Sequence, residues 1–225
     1  IVSKLAGKKI DAGKIGFILA PRLNAAGRLG NAQLAVKLLT TDKEHEAKEI
    51  AEFLNNENEL RQNIEQEILD EALKMLAEKP PEKTIVLAGK NWNAGVIGIV
   101  ASRLVEKYYL PTIIFRVDEQ GIAKGSGRSI RALDLHKALA SMKELFLNFG
   151  GHHQAAGLSL REKDLPAFSE RFETYVQNTL LPGDFVPTVK IDALVSDFSE
   201  LTKQVMDELE KLEPFGEGNP KPSFA

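Results

Sequence analysis

Between Thr41 and Lys79 the chain contains neither glycine nor proline, and it then meets Pro80-Pro81. A stretch this long without a breaker favours one continuous helix, which the paired prolines end. At 1.5 Å per residue, a helix of ~38 residues reaches ~57 Å, long enough to join two bodies of structure. Thr41-Asp42-Lys43-Glu44 reads as a capping box, with Glu44 returning a bond to the cap. Ile50, Phe53 and Leu54, then Leu60, Ile64, Ile68, Ala72 and Leu76, recur at helical spacing and form an apolar stripe. Asn58, Arg61, Gln62 and Glu65 share another face. The simpler expectation for that face is solvation; the sharper one is that it lines a groove between domains.

After Pro81 the pattern alternates. Residues 84–88 read as a strand, 96–108 as a helix and 111–117 as a second strand rich in β-branched and aromatic residues. A β-α-β unit of this kind predicts parallel pairing. The turn 89–95 leads into a helix N-terminus whose free N–H groups suit an anion, and its Trp92 serves either as a structural plug or as a stacking platform. It matches neither a Walker loop nor a Gly-x-Gly-x-x-Gly fingerprint, so nucleotide-cofactor binding has little support. Residues 134–146 and 165–180 read as further helices.

Three segments carry the residue types of a phosphate site. Residues 17–29 read as a loop of small residues holding Arg22, Asn24 and Arg28, whose guanidinium forks fit phosphate oxygens or else are solvated. Residues 122–131 read as a turn, with Lys124, Arg128 and Arg131 interleaved among Gly125, Ser126, Gly127 and Ser129. This is either a cradle for a terminal phosphate or a hairpin with exposed basic groups. Phe149-Gly150-Gly151-His152-His153-Gln154-Ala155-Ala156-Gly157 combines glycines that permit close backbone approach with imidazoles able to donate near neutral pH. The alternative there is a tight turn before a buried strand.

With 225 residues, 43% hydrophobic and 27% charged, the chain has material for one or two domains. The absence of cysteine excludes disulfides and thiolate metal sites. No apolar run reaches the ~18 residues of a membrane span and no basic-then-apolar leader is visible, so a cytoplasmic protein is expected. A net charge of -3 argues against bulk adhesion to nucleic acid while leaving room for a channel lined by a few arginines. Ile1 opens the chain without methionine and a strand is starting near Ala225, so a piece of a longer protein is expected. Carboxylates are scattered along helix faces, with no cluster at metal-ligand spacing.

Pro21-Arg22-Leu23-Asn24-Ala25-Ala26-Gly27-Arg28, then 95–104 (GVIGIVASRL), Lys124-Gly125-Ser126-Gly127-Arg128-Ser129, Gly150-Gly151-His152 with Ala155-Ala156-Gly157, and 212–220 (LEPFGEGNP) occur in the order found in RecJ. Over nearly its whole length the chain resembles that family of 5′-to-3′ single-stranded-DNA exonucleases in the DHH phosphoesterase superfamily. The resemblance implies an α/β fold, a DHH-associated domain with a mixed sheet that follows a long connecting helix and precedes an OB-type region. Residues 1–40 would then be the tail of the catalytic domain, 41–80 the connector, 81–182 the substrate domain and 186–225 the start of the OB fold. It also implies Mn²⁺ or Mg²⁺ in the intact enzyme, on ligands that precede Ile1, and metal-assisted phosphodiester hydrolysis.

By the same similarity, Ser126, Gly127 and Arg128 would take the 5′-terminal phosphate, and Asn24 and Arg28 the nucleotide near the cleft. Gly150 and Gly151 would line the strand, with His152 at the scissile phosphate. His153 falls where the family is variable and is given no role. Asn93 stands where members commonly carry histidine, which puts any acid-base role of that loop in doubt. Single-stranded DNA with a 5′ end is the implied partner, with a single-strand-binding protein or a helicase as further candidates, and a monomer is expected. Competing readings are a DHH-type oligoribonuclease or cyclic-dinucleotide phosphodiesterase, and a non-catalytic single-strand or partner-binding module.

Overall fold

The computed structural model of the chain describes residue 7 and residues 10–29, 32–216 and 218–225. Glu217, within the 212–220 segment above, lies outside the described residues. In chain order the main elements are helices α1 (Ala20–Leu29), α2 (Ala32–Thr40) and α3 (Glu44–Glu78), strand β1 (Ile85–Gly89), helix α4 (Ile97–Tyr108), and strands β2 (Thr112–Val117) and β3 (Ile122–Arg128). There follow helix α5 (Leu135–Ala140), strands β4 (Asn148–Gly151) and β5 (Ala155–Arg161), helix α6 (Leu165–Thr179) and helix α7 (Lys203–Glu210). The chain divides into two compact units, Leu60–Pro187 and Ile1–Glu59 with Thr188–Ala225. Helix α3 contributes to both.

The unit Leu60–Pro187 is built on a five-stranded sheet of order β1-β2-β3-β5-β4. β1 and β2 pair in parallel, as the intervening helix α4 requires, and the remaining pairs are antiparallel. On one face, α5 and α6 cover Ile113, Phe115, Ala123 and Leu158. Phe168 of α6 centres that layer, meeting Phe115 edge-on at 5.6 Å and stacking on Phe172 at 5.7 Å, contacts worth about 0.5–1.5 kcal/mol each beyond burial. On the other face, Ile68, Ala72 and Leu76 of α3 pack with Ile97, Val100 and Leu104 of α4 over Ile85 and Ile114. Trp92 is 3% exposed, its indole N–H donates to Glu71 at 2.7 Å, and its ring lies where a Cβ on Gly89 would come within 2.4 Å. It is a structural plug.

In the other unit, α1, α2 and the first turns of α3 pack through Ala26, Ile50, Leu54, Leu23, Leu34 and Leu38. Thr41 accepts the Lys43 N–H and its hydroxyl donates to Glu46 at 2.5 Å, while its own N–H is on the Lys37 carbonyl, so a side-chain pair stands where the capping box with Glu44 was expected. Residues 188–225 add α7, capped by Thr202, and a parallel bridge between Ala193 and Phe224.

Several sequence expectations change. Residues 20–29 are helix instead of loop, entered through a π-helical turn at Ile15–Leu19. Pro21 directly follows the π-helical turn, within a helical run that begins at Ala12. The helix expected over 134–146 stops at Ala140 and resumes as a 3-10 turn at Lys143–Leu145. The polar face of α3 is not solvated at Asn58, Arg61 and Glu65, which are 2%, 8% and 2% exposed, whereas Phe53 and Leu60 of the apolar stripe are exposed. Burial is tolerable because Arg61 donates to Glu65 at 2.8 Å and Arg103 of α4 pairs with the second carboxylate oxygen.

The largest change concerns 122–131, where a turn was expected and strand β3 is found. Gly125 and Gly127 face the α5–α6 core: a Cβ on Gly125 would lie 2.5 Å from the Phe115 ring, and one on Gly127 2.9 Å from Leu135. Gly125→Ala is therefore expected to destabilise the domain by about 1–3 kcal/mol in urea denaturation, because the Phe115 ring is fully buried and has no room to withdraw. An unchanged denaturation midpoint would contradict this packing.

Candidate nucleic-acid interface

Residues on β3 alternate between the two faces of the sheet. With Gly125 and Gly127 turned to the core, Lys124, Ser126 and Arg128 stand on the opposite face. Directly across from Ser126 lies Gly157 of β5, and across from Gly157 lies Gly150 of β4. A Cβ on Gly157 or Gly150 would meet nothing within 4 Å. Beside Ser126 the sheet therefore presents a floor of bare backbone.

Helix α4 covers this face over β2 and β3. Its first turn comes so near β3 that a Cβ on Gly98 would fall 2.7 Å from Ser126 Oγ and 3.1 Å from Arg128 Nη2. Arg128 Nη1 donates to the Gly127 carbonyl at 2.7 Å and to Ser126 Oγ at 3.2 Å, so the guanidinium and hydroxyl are held as a pair. Asn93 prepares the helix start: its carbonyl accepts the N–H groups of Val96 and Ile97, and its side chain accepts the Gly95 N–H at 2.8 Å. The positive end of the helix dipole, a guanidinium and a hydroxyl thus meet at one rim of the floor, an arrangement suited to an anion.

The histidine segment closes the same end of the sheet. Gly151 has φ 153°, a conformation that side chains rarely adopt, and its backbone lies against Ala155 and Ala156. The chain turns there, with the His152 N–H on the Ala155 carbonyl at 2.8 Å. The loop is pinned from outside by the Ser129 N–H on Gln154 and the Leu135 N–H on His153. His152 and His153 are both exposed.

Of the residues singled out in the sequence, Ser126, Gly127, Arg128, Gly150 and Gly151 are brought together through β5, with His152 in the turn that follows Gly151. Gly127 acts on the far face, as the gap that admits Leu135. Asn24 and Arg28 lie exposed on α1 in the other unit, while the neighbouring Arg22 is committed to Asn55 at 3.0 Å and the Ile18 carbonyl at 2.6 Å. Sequence reading gave no part to Gly98. Its signal is a glycine in the first turn of an otherwise apolar helix, where propensity alone favours alanine. No group of three or more His, Cys, Asp or Glu that could hold a metal occurs among the described residues. No helix among them is long and apolar enough to cross a membrane.

The bare-backbone floor, its rim of Ser126, Arg128 and a helix N-terminus, and the mixed sheet between helical layers belong to one α/β domain. Residues 82–178 match the DHHA1 domain, and residues 191–225 match the RecJ OB domain. The chain is 42% identical to the single-stranded-DNA-specific exonuclease RecJ of Bacillus subtilis, over 97% of this chain and 28% of that protein. It is 39% identical to the Escherichia coli RecJ, over 99% of this chain and 40% of that protein. The crystal structure of Thermus thermophilus RecJ in complex with Mg²⁺ superposes with a TM-score of 0.84 at 40% identity, covering 98% of this chain and 34% of that one. A second structure of that protein holds Mn²⁺. The chain belongs to the RecJ family and spans well under half the length of these relatives.

Asp134, the cap of α5, accepts the Lys137 N–H at 3.0 Å, which holds its carboxyl below the usual range, with Lys137 and His153 adding to the effect. A lowered pKa means that its stabilisation is present above the ordinary carboxylate range and is lost as pH falls through the folded-state value. Asp134→Ala is expected to lower the melting temperature at neutral pH, with the gap to wild type closing on acidification. A gap constant with pH would exclude the carboxylate as the cause.

Proposed function

We propose that this chain is the strand-gripping part of a metal-dependent 5′-to-3′ exonuclease acting on single-stranded DNA. The observation that carries the proposal is the placement of Ser126 and Arg128 under the first turn of α4, beside the uncovered floor of Gly150 and Gly157. The described residues do not fit a divalent ion. We therefore assign the metal to residues of the longer protein, where it would polarise the phosphodiester, and route no step through it here. What this chain supplies is grip: Arg128 and Ser126 neutralise and orient the 5′-terminal phosphate, and the glycine floor admits the strand. To His152 we assign the scissile phosphate. Asn24 and Arg28 are assigned a nucleotide of the strand on the family resemblance alone. The domain limits proposed are those read from the sequence, 81–182 for the substrate domain and 186–225 for the start of the OB fold. The RecJ OB match favours this over the oligoribonuclease and cyclic-dinucleotide reading.

The test is fluorescence anisotropy of 5′-phosphorylated and 5′-hydroxyl single strands with this chain. Arg128→Ala is expected to abolish discrimination between the two, a loss of about 1.5–3 kcal/mol for a charge-assisted bond. Equal affinity of wild type for both strands would remove the basis of the assignment. Gly157→Val offers a cleaner separation. A Cβ there meets nothing, so the melting temperature should hold or rise while strand binding weakens. Unimpaired binding by that variant would mean the strand does not cross the floor. In the intact enzyme, His152→Ala should lower kcat with little change in KM, and an unchanged kcat would exclude the catalytic role.

A further inference from the structure

The sheet has a second feature that strand gripping does not use. β1 is an edge strand, paired only with β2. The Ile85 N–H is bonded to the Pro111 carbonyl at 2.9 Å, so Ile85, Leu87 and Gly89 point their backbone groups at β2. Val86 and Ala88 point theirs outward. Natural edges are usually blunted by lysine, proline or a bulge. Ile85-Val86-Leu87-Ala88-Gly89 has none of these.

Along this edge runs a cleft of about 540 Å³ that includes Thr84 to Leu87. One wall is the end of α3 with Met75, Leu76 and Lys79; the other is the start of α6 with Pro166, Glu170 and Glu173. A sheet edge lying between helices on both faces has the form of a slot for an added strand. Side chains of an added strand would point alternately toward the α3 wall and toward the α6 wall. The first wall is mostly apolar. The second carries two carboxylates, and Glu82 adds a third at the mouth, against the single ammonium of Lys79. Glu173 already accepts the Lys83 N–H, the Thr84 hydroxyl and the Gln177 amide, which fixes the start of β1 and leaves Glu170 as the carboxylate to face an incoming segment.

We propose that the β1 edge is a docking site for an extended segment of a partner protein that carries basic side chains at alternate positions and apolar ones between them. The segment adds to β1 through the outward groups of Val86 and Ala88, sets its basic residues against Glu170 and its apolar residues against Met75 and Leu76. This site is chemically opposite to the Ser126–Arg128 rim, which suits anions, so the two ligands do not compete for one surface.

The test uses a short fluorescent peptide of alternating lysine and valine, titrated with this chain and followed by anisotropy. Saturable binding is expected, weakened about tenfold by Val86→Pro, which removes an outward N–H but no bond to β2. Glu170→Lys is expected to weaken binding and reduce its salt dependence. A peptide N-methylated at alternate residues provides the same test with the protein unaltered, and it too should bind about tenfold more weakly. Equal binding of the N-methylated peptide would overturn strand addition, whatever the folding of the proline variant. Equal binding of a glutamate–valine peptide would overturn the charge assignment. Concentration-dependent dimers in light scattering, abolished by Val86→Pro, would overturn the peptide in favour of a second copy of this chain.

Discussion

The approach of α4 to β3 at Gly98 is the contact on which the rest of the site depends. One methylene at this position would collide with the Ser126 hydroxyl, and the helix would have to withdraw. Because it does not, the N-terminal dipole of α4 reaches the same place as Ser126 and Arg128. Partial charges at a helix end act over roughly one turn, so a retreat of even a few ångströms would separate the groups electrostatically. The same economy operates on the reverse face, where Gly125 and Gly127 let Phe115 and Leu135 sit directly on the backbone of β3. β3 is thus squeezed from both sides, and its polar residues have one orientation open to them.

Helix α4 in turn is held from behind by charge. Arg103, half-exposed, pairs with a Glu65 carboxylate that is 2% exposed and that also binds the buried Arg61. Two guanidinium groups share one carboxylate, and removing Glu65 would take the acidic partner from the buried Arg61 while Arg103 stays hydrated. The cost of leaving a buried charge unpaired exceeds the modest gain of making the pair, so this cluster fixes the position of α4 against α3 more than it adds to overall stability.

The long helix, the β-α-β unit and its parallel pairing were legible because they rest on breaker-free length and on hydrophobic period, which local sequence states directly. β3 was not. Lys124-Gly125-Ser126-Gly127-Arg128 is rich in glycine and charge, the composition of a turn, yet it alternates with a period of two. The residues of its buried face are glycines because the space there belongs to Phe115 and Leu135, side chains far away in sequence or on another element. A burial pattern carried by the absence of side chains gives no hydrophobic signal. The polar face of α3 misled for the opposite reason. Arg61 and Glu65 read more readily as a solvated face than as the lining of a groove, and Arg103, which pairs with Glu65, is brought in by the tertiary fold. At the site itself, residue types were legible and their convergence was not, since it runs through the register of β3, β5 and β4.

That register also constrains what the floor can recognise. Gly157 lies between two partners, β3 and β4, and its backbone N–H and C=O are drawn into the sheet. The floor therefore offers shape rather than hydrogen bonds, and it carries no side chain with which to read the edge of a base. Directional donors are confined to the rim, where Ser126, Arg128 and the helix end meet. For the strand-gripping role proposed above, such a surface distinguishes the charge at a strand end and not the sequence of its bases.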